Sequence, residues 1–231
     1  MRRFRMDRRV SSRRVPRVMP LALVLAAGSC GDPGGSGAPG AVASSAHLPG
    51  EYAVRLDRQN RDVADFVATI NDGSLQVHTG PAGIVYRPAQ VVDAESYAVR
   101  ARFTEVGAPE GHREGFGLFI GGQDLEGTNQ RYTYFLVRGD GRYLIRHREG
   151  AATREISNGW QSSEAVRAAT TGGDVANELA IAVDGRELRF FCNDEPVAEM
   201  PVGALSVRGV AGVRVNHNLR VHIQSFRVEP I

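Results

Sequence analysis

The side chains whose types and spacing could do chemistry fall into carboxylates, aromatic and arginine rows, and scattered imidazoles and thiols. Glycoside hydrolysis needs two carboxylates roughly 5 to 9.5 Å apart, one as acid and one as nucleophile or base. Asp124 and Glu126 lie together in the stretch from Gly121 to Gln130, and Glu110 and Glu114 precede the run at Phe116. Each could serve, but a solvated loop carboxylate is the commoner case. Asp124, Glu126, Thr128 and Asn129 also offer the hard oxygens that Ca²⁺ prefers, so a calcium site on Asp124, Glu126 and Asn129 is one expectation. A polar hairpin loop has the same composition. No other cofactor is expected.

Aromatic residues beside arginines suit sugar binding, because sugar C–H faces stack on rings while polar groups take the hydroxyls. Tyr132 and Tyr134 alternate with Phe135 on the far face, and Arg142, Arg146 and Arg148 alternate with Tyr143 and Ile145. If the two runs are paired strands, these tyrosines and arginines form a surface able to grip a glycan or an acidic sugar. The competing reading packs Tyr132 and Tyr134 into the core and leaves the arginines solvated. Trp160, in Gly159-Trp160 with Ser162 following, reads as a structural anchor.

The six histidines form no pair at helical i, i+4 spacing and no Cys/His cluster, which argues against zinc. His147 shares a strand face with Ile145, where a satisfied core histidine is expected. Cys192 alternates with Leu188 and Phe190, the place for a buried structural thiol. Arg138-Gly139-Asp140 spells an integrin-binding tripeptide, but an Asp-Gly hairpin explains it.

The elements that must carry these residues show a period of two. Tyr52, Val54 and Leu56 alternate with Ala53, Arg55 and Asp57, as Tyr97, Val99, Ala101 and Phe103 alternate with Ala98, Arg100, Arg102 and Thr104. Phe116, Leu118 and Ile120 follow the rule, then Leu179, Ile181 and Val183, then Leu219, Val221 and Ile223. Each reads as a half-buried strand with one core face. Asp72-Gly73, Asp140-Gly141, Asp184-Gly185, Asn193-Asp194 and Asn216-His217-Asn218 fall between runs, where tight hairpins require positive φ. The best helical candidate, Ser162 to Ala169, has room for one turn at most. Turn signals about 8 to 12 residues apart predict an all-β, two-sheet antiparallel sandwich.

Three segments are expected. Residues 1–29 join an Arg-rich start to a short apolar run, Val18 to Ala27, and small residues before Cys30, the pattern of an export signal. The Ala27-Gly28-Ser29-Cys30 boundary resembles a bacterial lipobox, which implies lipidation of Cys30 and anchorage to a membrane of the bacterial envelope. Residues 30–46 are a Gly/Ala/Ser/Pro tether, and residues 47–231 form the sandwich. Eight of the 28 basic and one of the 26 acidic residues fall in 1–29, leaving 20 against 25 and a net charge of −5. That balance argues against nucleic acid as a partner.

From Gly115-Phe116-Gly117-Leu118-Phe119-Ile120, through Arg131 to Val137, Gly159-Trp160 and Asn177-Glu178-Leu179, to Gly212-Val213-Arg214-Val215, the chain resembles the concanavalin A-like jelly rolls. Within them it is similar to laminin-G-type modules and to the bacterial 3-keto-disaccharide hydrolase family. The resemblance implies two packed sheets of six or seven strands, one concave, with sugars bound on the concave face or its rim. The Glu-x-Asp-x-x-Glu run of laminarinase-type members is absent. Three functions follow in order of preference: a tethered module binding a carbohydrate or envelope partner without catalysis, a glycoside hydrolase of the 3-keto-disaccharide type, and a structural envelope lipoprotein.

Overall fold

A computed structural model describes residues 50–58, 61–108 and 111–231. The leader, the tether, Cys30 and Glu110 lie outside the described residues. The regular structure of the described residues is strand, apart from a single 3₁₀ turn at Val63–Asp65 capped by the Asp62 carboxylate.

The first sheet contains β1 (Ala53–Leu56), β4 (Gly83–Val92), β6 (Gly115–Gln123), β7 (Arg131–Arg138), β8 (Arg142–Glu149), β10 (Gln161–Ser162) and β14 (Gly209–Val215). Their order is β1-β4-β14-β6-β7-β8-β10, and β9 (Ala152–Glu155) pairs with β8 as an eighth strand. The second sheet holds β2 (Phe66–Asn71), β3 (Ser74–Thr79), β5 (Ser96–Glu105), β11 (Val175–Asp184), β12 (Glu187–Cys192), β13 (Glu195–Pro201) and β15 (Arg220–Glu229). It runs β13-β12-β11-β5-β15-β3-β2, and every pairing in both sheets is antiparallel. The first sheet exceeds the expected six or seven strands because two short segments, β9 and β10, extend the β8 edge. No helix forms at Ser162 to Ala169; the chain turns there and buries Val166.

Alternation sets the core. Val85, Phe116, Leu118, Ile120, Phe135, Val137 and Ile145 face inward from the first sheet. Tyr97, Val99, Ala101, Phe103, Leu179, Ile181, Phe190 and Val221 meet them from the second. Rings interlock across the layers: Phe103 and Phe116 lie 5.8 Å apart, and Phe135 and Phe190 5.4 Å. Positive φ at Asp72 (48°) and Gly73 (73°), and at Asn193 (52°) and Asp194 (67°), gives the tight hairpins expected there. Cys192 is fully buried 3.5 Å from Asn177 Oδ1, and burial pushes its thiol up to about 12. His147 is buried too, its Nδ1 3.1 Å from the Thr133 hydroxyl, which donates to the Ser206 carbonyl at 3.0 Å.

One expectation needs correcting. β6 and β7 do not have a single core face; they are buried on both. The outer row of the first sheet gathers Ile84, Tyr86, Phe119, Tyr132, Tyr134 and Leu136 into a second apolar cluster. The outer face of the second sheet is ordinary by comparison, with Arg100, Arg102 and Arg220 in its polar rows. The asymmetry between the two outer faces locates the candidate site.

Candidate functional site on the outer face of the first sheet

Register brings the arginine and tyrosine rows together. Tyr132 pairs with Arg148, Tyr134 with Arg146, and Arg138 with Arg142, and paired residues share a face. On the other flank Phe119 pairs with Tyr134 and with Gly212, and Arg214 pairs with Gly117 and Ile84. One face therefore carries Arg55, Tyr86, Arg214, Phe119, Tyr132, Tyr134, Arg146 and Arg148.

The middle of this face is an ion-paired network on stacked rings. Phe119 lies 5.2 Å from Tyr132, and Tyr132 lies 5.7 Å from Tyr134. The Arg214 guanidinium sits 4.9 Å above the Tyr134 ring. Its Nη1 donates to Asp57 Oδ1 at 2.8 Å and to the Tyr132 hydroxyl at 3.0 Å, and its Nη2 donates to Asp57 Oδ2 at 2.5 Å. Arg148 Nη1 adds a second cation 3.6 Å from Asp57 Oδ1. Burial would raise the Asp57 carboxyl, but Arg214, with Arg148 behind it, holds it below the usual carboxylate range. Burial raises the Tyr132 phenol, so Tyr132 stays neutral and accepts from Arg214.

Towards the β8 edge the network opens. Arg146 is half-buried and paired with Glu155. Arg142 is exposed, 3.8 Å from Asp140. Trp160 is half-buried; a Cβ on Gly115 would lie 2.6 Å from its Cη2, so only glycine admits the indole there. Arg138 covers the same indole at 4.5 Å and donates to Asp140 Oδ1 at 2.6 Å. That ion pair accounts for the Arg138-Gly139-Asp140 sequence.

Four buried polar atoms on this face have no hydrogen-bond partner: Arg55 Nε, Tyr86 Oη, Arg146 Nε and Arg214 Nε. Such atoms are costly in a finished interior, so several on one face point to a site built for a polar guest. At the Tyr86 end the face adjoins a cavity of about 280 Å³ lined by Asp124, Leu125 and Glu126.

The residues read from sequence separate as follows. Tyr132, Tyr134, Arg142, Arg146 and Arg148 do share one face, the two tyrosines buried at its centre. Asp124 turns its carboxylate onto its own loop, accepting the Asn129 amide at 3.0 Å, and a Cβ on Gly127 would lie 2.1 Å from it. Glu126 instead acts on Tyr86, adding to the rise that burial imposes on the phenol, to about 12. Among the described residues no cluster of three or more His, Cys, Asp or Glu is placed to hold a metal ion. Asp57 and Arg214, the pair at the centre, were not expected. The one available signal was Arg214 as a lone cation in the apolar run Val213-Arg214-Val215 after Gly212.

No protein-family model matches the chain, and no curated protein matches it in sequence. Among solved structures it is similar to the carbohydrate-binding module CBM66 from Bacillus subtilis, at 11% identity and a TM-score of 0.56, covering 76% of this chain and 94% of that one. It is similar to a Bacillus subtilis protein with a galectin-like fold at 11% identity and 0.55, covering 78% and 89%. The carbohydrate recognition domain of Emp46p in its potassium-bound form matches at 7% identity and 0.55, covering 78% and 88%. With two antiparallel sheets in this order, the chain has the galectin-like fold of the concanavalin A-type lectin jelly rolls.

Proposed function

We propose that the protein is a carbohydrate-binding module that receives a sugar on the outer face of its first sheet. The observation that carries this reading is the set of partnerless donors, Arg55 Nε, Arg146 Nε, Arg214 Nε and the Tyr86 hydroxyl, on a face built of aromatic rings. Ring faces accept sugar C–H groups, and orphaned donors donate to sugar hydroxyl oxygens. Trp160, Arg146 and Glu155 form the accessible rim; Tyr132, Tyr134, Arg148, Arg214 and Asp57 hold it in place. Two of the fold neighbours are themselves described as carbohydrate-binding, which supports the reading.

Binding suits this face better than turnover. Its central carboxylate, Asp57, is locked between Arg214 and Arg148 and stays ionised, so it cannot act as a general acid near neutral pH. Glu155 is held by Arg146.

A glycan array probed with the wild-type chain and with Trp160→Ala and Arg146→Ala tests the assignment. Each variant is expected to weaken a hit by about 2 kcal/mol, roughly 30-fold in Kd, with its circular dichroism unchanged. Wild-type affinity in both variants would remove the site from this face.

The proposal extends to location. The signal-like segment 1–29 and the small residues before Cys30 support export and lipidation, with the 30–46 tether holding the sandwich off a membrane of the bacterial envelope. Labelled fatty acid is expected to enter the wild-type protein and leave Cys30→Ala unlabelled and in the aqueous fraction. Equal labelling of both would refute the anchor.

A further inference from the structure

A second set of unpaired polar atoms lies at one end of the sandwich, between the layers and away from the arginine face. The inward row of β5 runs Tyr97, Val99, Ala101, Phe103, and the next inward position is Glu105, 2% exposed. A carboxylate thus occupies a place where the pattern calls for an apolar side chain. Its Oε2 has no hydrogen-bond partner, and among the described residues no cation is paired with it. His112, in the loop after β5, has a buried Nδ1 that also lacks a partner.

Both residues line one cleft of about 290 Å³, together with Arg113, Gly139, Asp140, Thr170 and Thr171. Gly139 is what opens it: a Cβ there would lie 2.9 Å from Glu105 Oε2. Asp140 is engaged by Arg138 and so does not satisfy either orphan.

The chemistry narrows the guest. Burial alone acts on Glu105 and pushes it up to about 7, so a large share of the carboxyls keep their proton around neutrality and offer both a donor and an acceptor. His112, Arg113 and two threonine hydroxyls join Glu105 in the lining. A cation would meet Arg113, and an anion would face Glu105 and Asp140. We propose that this cleft is a second binding site, for a small neutral polyhydroxylated ligand of the monosaccharide class. The assignment does not depend on the arginine face.

The test is residue-resolved amide and indole NMR of the purified chain, titrated separately with glucose, galactose, fructose, N-acetylglucosamine, Ca²⁺ and Zn²⁺. At least one sugar is expected to shift the amides of Val106, Gly139 and Thr170. Binding on the arginine face instead moves Gly115 and the Trp160 indole, so each site is scored by itself. Glu105→Gln, which keeps a donor and an acceptor, is expected to retain this binding, whereas Glu105→Leu weakens it about tenfold or more. Gly139→Ala leaves residue 105 unchanged but sets a Cβ against its Oε2, narrowing the cleft; it is expected to weaken binding similarly, which guards against a misfolded Leu variant. The proposal is overturned if no sugar moves these amides, or if a metal ion moves them and Glu105→Gln abolishes the effect.

Discussion

Arg214→Ala is expected to lower the unfolding free energy by about 3–5 kcal/mol, the usual cost of removing one partner from a buried ion pair. Arg214 is 5% exposed and is the point at which Asp57, Tyr132 and the Tyr134 ring meet. Without it, Asp57 keeps a single cation, Arg148 at 3.6 Å, and the Tyr132 hydroxyl loses its donor. Arg214→Lys should recover little, because an ammonium cannot span both carboxylate oxygens and lie over a ring. Replacing Arg214 and Asp57 together by leucine should be milder than Arg214→Ala, since no buried charge is then left unpaired. Denaturant unfolding at constant m-value reads all three. A loss below about 1 kcal/mol in Arg214→Ala would place the pair in the range of solvated surface bridges and remove the rigid support on which the binding face rests.

Stability is expected to fall as pH rises through the window set by Glu105. The unfolded chain releases this proton near 4.5, whereas the folded chain holds it to about 7. Between those values the native state binds more protons than the unfolded state, so each increment of pH favours unfolding. Stability from this residue is complete below the lower value and lost above the upper one, a difference of about 3 kcal/mol across the window. Glu105→Gln cannot ionise, so its profile should be flat there by comparison and it should exceed the wild type above pH 7. Parallel curves for the two proteins from pH 4.5 to 8 would show that Glu105 is not held neutral by burial.

These two residues also mark where the amino-acid sequence was legible and where it was not. The sandwich could be read because burial with a period of two is local: the Tyr97 to Phe103 and Phe116 to Ile120 rows face inward as expected. The Asp72-Gly73 and Asn193-Asp194 hairpins declare themselves through residues that tolerate positive φ. β9 was missed because all four of its residues are exposed and it has no apolar row. The arginine and tyrosine rows were legible because β7 and β8 are neighbours in sequence, so a hairpin fixes their register. Asp57 and Arg214 were not, since 157 positions separate them and only the β1-β4-β14 order brings them together. Glu105 was visible in principle: continuing the Tyr97 row by two residues puts a carboxylate in the core.

The single tryptophan provides the most direct test of the binding face, because it stands on the rim and no other indole contributes to its emission. A glycan identified on the array, added to saturation, is expected to shift Trp160 emission to the blue and to shield it from acrylamide quenching, with an amplitude that follows the binding isotherm and is blunted in Arg146→Ala. Saturating, independently measured binding that leaves both the emission and the quenching of Trp160 unchanged would contradict the account.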